Sequence, residues 1–304
     1  MSELSRRTVL RSAGVGAVAV AGTQWWAGTA AAHTDFPAPR TGDNPVVREN
    51  GAPGSGRWAV GCDDTCGVDL ARPQIQGYAS RNSVGHGELI GFHIASSVAQ
   101  SCTVAVYRTG HYAGVQARHL LTSGDLAVGP RTGGKAAWKP TVPQDWVSGV
   151  FMAVFTSADG HRAFTPFVVR EPARRSDLLL VLPFAKTPDR PYPGIGLPED
   201  FDTDCSTARW LEEEGYDVTY ATEEDLHEGH VDPARYTAVV LPGADRDARW
   251  SRKTRAAVGR ATGAGTRLAR LHRPLALHEP GHIDEDARRA ATDVLTRVLE
   301  PRVR

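Results

Sequence analysis

The chain has 304 residues, which favours two domains over one. Lys plus Arg and Asp plus Glu both number 35, so the overall charge gives no sign of a nucleic-acid partner or an anionic target. A hydrophobic fraction of 41% fits a chain that buries an ordinary core.

Residues 1–32 read as an export signal. Ser5-Arg6-Arg7-Thr8-Val9-Leu10 is a twin-arginine pattern, and the apolar run at 13–21 is too short to span a bilayer. Ala30, Ala31 and Ala32 form a small-residue cleavage site. The expectation is export through the twin-arginine route to the envelope or beyond, with no transmembrane helix in the mature chain. Residues 33–73 are expected to be an extended leader, rich in Pro, Gly, Asn and Thr as far as Gly56.

Residues 74–171 read as all-β. Strands are predicted at 89–96, 103–107, 149–157 and 163–170, and Asp159-Gly160 is a hairpin signal between the last two. Several short strands in that length suggest an immunoglobulin-like sandwich. Trp138 and Trp146 are assigned to packing. Cys62 and Cys66 are spaced for a small disulfide loop or are free thiols, since a metal site would need a second ligand pair. Cys102 and Cys205 are the other cysteines, and Cys205 lacks the His and carboxylate context of a nucleophile.

A boundary at 172–176 opens an α/β domain running over 176–304. The Leu-Leu-Leu-Val-Leu run ending at Leu182 predicts a first buried strand. A helix over 208–214 is closed by Gly215, and strands follow at 217–220 and 237–241. Strands alternating with helices imply a parallel sheet, in which ligands sit beyond the strands' carboxyl ends. The loop 243–250 lies there, so Asp245 and Asp247 are candidate catalytic or metal-binding carboxylates, with His227 on the same rim. His278-Glu-Pro-Gly-His282 has HExxH spacing, but Pro280 and Gly281 oppose the helix that motif requires. His272, His278, Glu279 and His282 remain as a looser candidate metal cluster. Residues 249–273 carry eight basic and no acidic side chains, read as a helix with a solvated basic face or a lure for an anionic wall polymer. The segment from Asp284 predicts an amphipathic C-terminal helix with Ala287, Ala291, Val294, Leu295 and Val298 inward.

Several segments together resemble the large subunit of the N,N-dimethylformamidase family. They are Ile75-Gln-Gly-Tyr-Ala-Ser80, Val104-Ala-Val-Tyr-Arg-Thr-Gly-His-Tyr-Ala-Gly114, Asp145-Trp-Val-Ser-Gly149 and Pro166-Phe-Val-Val-Arg170. Further on come Arg209-Trp-Leu-Glu-Glu-Glu-Gly-Tyr-Asp-Val218, Tyr220-Ala-Thr-Glu-Glu-Asp-Leu-His227, Pro242-Gly243 and Trp250-Ser251. The resemblance implies a sandwich followed by a glutamine-amidotransferase-like, Rossmann-type α/β domain. It also implies hydrolysis of a small amide at an iron held by two tyrosines and a glutamate. Such oxygen ligands suit a Lewis-acidic ion that activates water. The family's glutamate lies in a Gly-His-Asp-Glu-Tyr-Trp-Ser pattern. Here that stretch is Gly243-Ala-Asp-Arg-Asp-Ala-Arg-Trp-Ser251, without the His, the Glu or the Tyr. A tyrosine-bearing segment expected after the first strand is also missing.

The expectation is therefore an exported family member with no cofactor, acting as a binding or accessory protein; iron is expected only if the family site is retained. The alternative is a metal-dependent amide hydrolase with a site remodelled around Asp245, Asp247 or the histidine group. A third reading is an interaction module in contact with the cell envelope through its sandwich.

Overall fold

Asn44 and Pro45 start a helix where an extended leader is expected. Asn44 Oδ1 accepts from the Val46 and Val47 amides at 2.9 and 3.0 Å, and Pro45 takes the first helical turn, where no amide donor is needed. The result is α1 (Pro45–Asn50). The computed structural model describes residues 43–58, 74–130, 134–184, 201–243, 246–271, 277–279, 282–283 and 285–300. The export segment, Cys62, Cys66, Asp245 and His272 lie outside the described residues. Among those residues no helix is long and apolar enough to cross a membrane.

The β-rich part has two layers. β1 (Ile75–Ala79) and β3 (Phe92–Ser96) pair antiparallel as a ribbon. The second layer holds β2 (Ser83–Gly85), β4 (Gln100–Thr109), β5 (Ala117–Thr122), β6 (Leu126–Val128), β7 (Gly149–Ser157) and β8 (Arg162–Arg170). Their order is β2-β8-β7-β4-β5, with β6 on the first residues of β4, and only β2 and β8 pair in parallel. Alternation along β7 decides what each face meets. Phe151, Ala153 and Phe155 pack with Ile75, Phe92 and Ile94 of the ribbon. Val150, Met152 and Val154 instead join the core of the α/β part. The ribbon comes close because β1 carries Gly77, where a Cβ would stand 2.7 Å from the Phe155 ring. Trp138 stacks on Phe92 and Trp146 on Phe151, so both tryptophans pack as expected.

The α/β part is a four-stranded parallel sheet. Its strands are β9 (Leu178–Leu182), β10 (Val218–Thr222), β11 (Ala238–Pro242) and β12 (Arg267–Leu271), in the order β10-β9-β11-β12. Leu178, Leu180 and Leu182 face a core with α2 (Phe201–Glu213) and α5 (Glu285–Leu299). Leu179 and Val181 face the other way, toward Leu226 of α3 (Glu223–Glu228) and Val258 of α4 (Arg252–Gly263). β10 is an edge strand, and its Tyr220 amide donates to Ser148 Oγ at 3.0 Å. That bond covers the edge with the start of β7 and joins the two parts.

Three further expectations change in detail. The strand predicted over 89–96 begins only at Phe92, and Leu89 is 56% exposed in an isolated bridge to Thr141. α2 begins seven residues before the predicted 208, because tertiary burial of Asp204, Ser206 and Thr207 overrides their weak helix propensity. The basic stretch is a helix followed by an edge strand, not one helix. As the sequence leads one to expect, the HExxH spacing is not helical: His278 and His282 lie on β13 (Leu277–Glu279) and β14 (His282–Ile283), an antiparallel pair. The C-terminal helix is as expected, with Ala287, Ala291, Leu295 and Leu299 buried.

Because β7 contributes to both cores, the two parts should unfold together. Urea melts followed by far-ultraviolet dichroism and by tryptophan fluorescence should coincide. Phe151→Ala should lower stability by about 3–5 kcal/mol for both signals. Two separate transitions would contradict the shared core.

Candidate functional site

The parallel strands end on one edge, at Leu182, Thr222, Pro242 and Leu271. Thr222 caps α3 in a capping box, accepting from the Asp225 amide while Asp225 Oδ2 accepts from the Thr222 amide at 2.8 Å. This places His227 in the last turn of α3, facing Ser251 across 2.7 Å from its Nδ1. Ser251 Oγ is the N-cap of α4 and accepts from the Thr254 amide at 3.0 Å. His227 is therefore tied to a helix cap. Asp247 lies in a short 3-10 turn and receives Arg270 Nη2 at 2.6 Å and Nε at 3.2 Å on one oxygen. The hydrogen bond and charge of Arg270, with Arg255 nearby, hold the Asp247 carboxyl below the usual carboxylate range. This aspartate is engaged by a guanidinium.

A second cluster is fully buried between the two parts. Arg108 of β4 reaches Glu212 of α2 through two bonds, Nη2 to Oε1 at 2.7 Å and Nη1 to Oε2 at 3.0 Å. Their side chains are 0% and 1% exposed. Arg108 also donates to the carbonyls of Val147, Thr109 and Ser148 at 3.2, 3.3 and 2.8 Å. Tyr220 Oη donates to Glu212 Oε1 at 2.6 Å, and Asn50 Nδ2 donates to Glu212 Oε2 at 2.7 Å. Tyr112 Oη accepts from Arg108 at 3.1 Å and donates to Glu49 Oε1 at 2.8 Å. Burial opposes the charge on Arg108, but Glu212 beside it raises its pKa well above the ordinary value. Burial also raises the Tyr112 and Tyr220 phenols, so both stay protonated and act as donors.

Two phenols and a carboxylate do converge here, but around a guanidinium. An iron held by two phenolates and a carboxylate would have to displace Arg108 and deprotonate both tyrosines. These residues do not fit that metal. Among the described residues, no three His, Cys, Asp or Glu side chains gather as a metal site would require.

The rim brings His227 to Ser251 and, separately, Arg270 to Asp247. It does not bring His278 or His282 into a helical pair with them. Sequence reasoning missed Arg108, Tyr112, Glu212 and Tyr220 as a functional unit. Their signal was present, since each lies in a segment that carries the family resemblance. Asn50 had no such signal.

Two outcomes test the buried cluster. Glu212→Gln leaves Arg108 a buried charge without its counter-charge and should cost about 3–5 kcal/mol by urea denaturation. Arg108→Met with Glu212→Leu should recover much of that loss. For pH, the folded pKa values of Tyr112 and Tyr220 lie above their unfolded values. Their contribution is full below about pH 10, where unfolded tyrosines begin to ionise, and is lost as pH rises toward the folded values. Absorbance at ultraviolet wavelengths specific to phenolate should rise for these two only with unfolding, and Tyr220→Phe should flatten the alkaline loss.

A comparison with curated protein sequences found no match. Among solved structures, the chain is similar to a superoxide reductase (neelaredoxin) from Ignicoccus hospitalis. The identity is 15%, over 38% of this chain and 97% of that one, with a TM-score of 0.24. It is also similar to a cycloisomaltooligosaccharide glucanotransferase from Paenibacillus sp., at 11% identity over 55% of this chain and 19% of that one, TM-score 0.23. The sulfur carrier protein SoxY from Chlorobium limicola f thiosulfatophilum gives 14% identity over 32% and 80%, TM-score 0.20. Likenesses of this size carry no argument. The family comparison is different: the model of the C-terminal region of N,N-dimethylformamidase beta subunit-like proteins matches residues 103–186 and 187–272. These two matches span more than half of the chain and include Arg108, Tyr112, Glu212 and Tyr220, so the chain belongs to the N,N-dimethylformamidase beta subunit-like family.

Proposed function

We propose that this is an exported member of the family that has lost the iron site and serves as a binding or accessory protein, not an amide hydrolase. In this reading residues 1–32 are a twin-arginine signal, and 33–73 a leading segment that carries the packed helix α1. Residues 74–171 are an immunoglobulin-like sandwich, and 176–304 are a shortened, glutamine-amidotransferase-like Rossmann-type domain. The observation that carries the proposal is Asp247. It is the described carboxylate of the loop where the family keeps its glutamate, and Arg270 holds it at 2.6 Å. A metal would have to compete with that guanidinium for the same oxygen.

The full chain, expressed anaerobically with iron, should contain far less than one iron per chain and should not hydrolyse dimethylformamide or other small formamides. Asp247→Ala should leave its metal content unchanged. Stoichiometric iron with formamide turnover would overturn the proposal.

A further inference from the structure

The solvent face of α4 bears Arg252, Lys253, Arg255 and Arg260, all exposed, while Thr254, Val258 and Ala261 point into the core. At 12 residues the helix is about 18 Å long. Residues 251–273 contain no Asp or Glu. The other described arginines of the stretch are engaged: Arg267 donates to the carbonyls of Val298 and Glu300, and Arg270 holds Asp247. Among the described residues the four α4 cations form no ion pair within 4 Å; Arg255 donates to the Ala248 carbonyl at 3.2 Å and senses the charge of Asp247, which Arg270 already holds. Two carboxylates on neighbouring elements have other partners. Glu228 faces His227 at 3.5 Å, and Asp232 accepts from the Ala234 amide at 3.0 Å. Gly259 and Gly263 leave open space, with no atom within 4 Å of where a Cβ would stand.

We propose that this face docks a linear polyanion with a phosphate-bearing backbone. The inference rests on the binding-protein reading above and supplies the class of partner. Charge complementarity selects the sign: a helix face with four exposed cations and no acidic residue of its own attracts closely spaced negative charge by counterion release. The composition of the face selects the polymer. It has no aromatic side chain on which bases would stack, which disfavours single-stranded nucleic acid. It has no large apolar side chain to enter a bilayer, which disfavours a membrane surface. A flexible phosphate chain needs neither.

The test uses the full chain and end-labelled linear inorganic polyphosphate, with binding read by fluorescence anisotropy across a salt series. Replacing Arg252, Lys253, Arg255 and Arg260 with Gln should weaken binding at least ~10-fold and flatten the slope of log affinity against log salt by about three. A control with the same charge change, Lys135, Lys139, Arg175 and Arg297 to Gln, should keep the wild-type affinity within about twofold. A variant with Arg252, Arg255 and Arg260 all changed to Lys should retain binding, because charge is what is read. Should the fourfold variant misfold by dichroism, the pairs Arg252→Gln with Lys253→Gln and Arg255→Gln with Arg260→Gln should each lose part of the affinity. No binding at low salt would overturn the proposal. So would equal loss in the control, loss in the all-lysine variant, or tighter binding to a single-stranded oligonucleotide or to phosphatidylglycerol vesicles. An iron-free chain that ignores polyphosphate would remove this inference and leave the accessory reading. An iron-bearing amidase that still binds it would do the reverse.

Discussion

The fold depends on a guanidinium that has no access to water. Moving Arg108 and Glu212 out of solvent costs several kcal/mol per ion, which is recovered only when geometry and hydrogen bonds are complete. Here they are. Arg108 has the Glu212 carboxylate, three carbonyls and the Tyr112 phenol, and Glu212 has Tyr220 and Asn50 besides. Such a cluster does not tolerate partial assembly, because any missing partner leaves a buried charge or dipole exposed to a medium of low polarity. The helix α1, the strand β4, the helix α2 and the edge strand β10 are therefore fixed relative to one another by one set of bonds. Asn50 shows how tightly. Its oxygen accepts from the His111 and Tyr112 amides while its nitrogen bonds Glu212, so α1 is held into both parts at once.

Regular structure was legible because periodicity is local. The Leu-rich run of β9 and the apolar run of β11 read as strands buried on both faces, and Asp159-Gly160 as a hairpin, and the structure has them so. What escaped was long-range. Arg108 and Glu212 lie 104 residues apart, and Asn50 and Glu212 lie 162 apart, so no window of sequence holds the pair. The early start of α2 escaped for the same reason. Asp204, Ser206 and Thr207 have turn-like propensities, and only their burial makes them helical. α1 was missed although Asn44-Pro45 is a start signal, because the Pro and Gly around it read as leader.

The family resemblance looks different once these distances are known. Arg108 and Tyr112 come from one resembling segment, Ser148 from another, Glu212 from a third and Tyr220 from a fourth. Scattered short matches in a shared order are what a buried polar network leaves in a sequence. Each member is constrained by its partners, while the chain between them is free to change. Four of the eight segments that carry the resemblance thus meet in the network that joins the two parts. Membership in the family then speaks for architecture, and chemistry has to be argued at the rim, where Asp247 faces Arg270.

The arginines of this chain divide by what they face. Arg108 is consumed by Glu212 in the interior, Arg170 by Glu88 and Asp225 between the two parts, and Arg270 by Asp247 at the strand ends. Each pairing removes one charge of either sign from what solvent senses. The balance of 35 against 35 counts these charges equally with exposed ones. A neutral total is thus compatible with a local field, because carboxylates spent inside the fold cannot neutralise cations outside it. On α4 the accounting is one-sided: the helix has no acidic member, and the nearby Glu228, Asp232 and Asp247 each have another partner. The same distribution of charge that sets a guanidinium on Asp247 at the strand ends leaves the adjacent helix cationic.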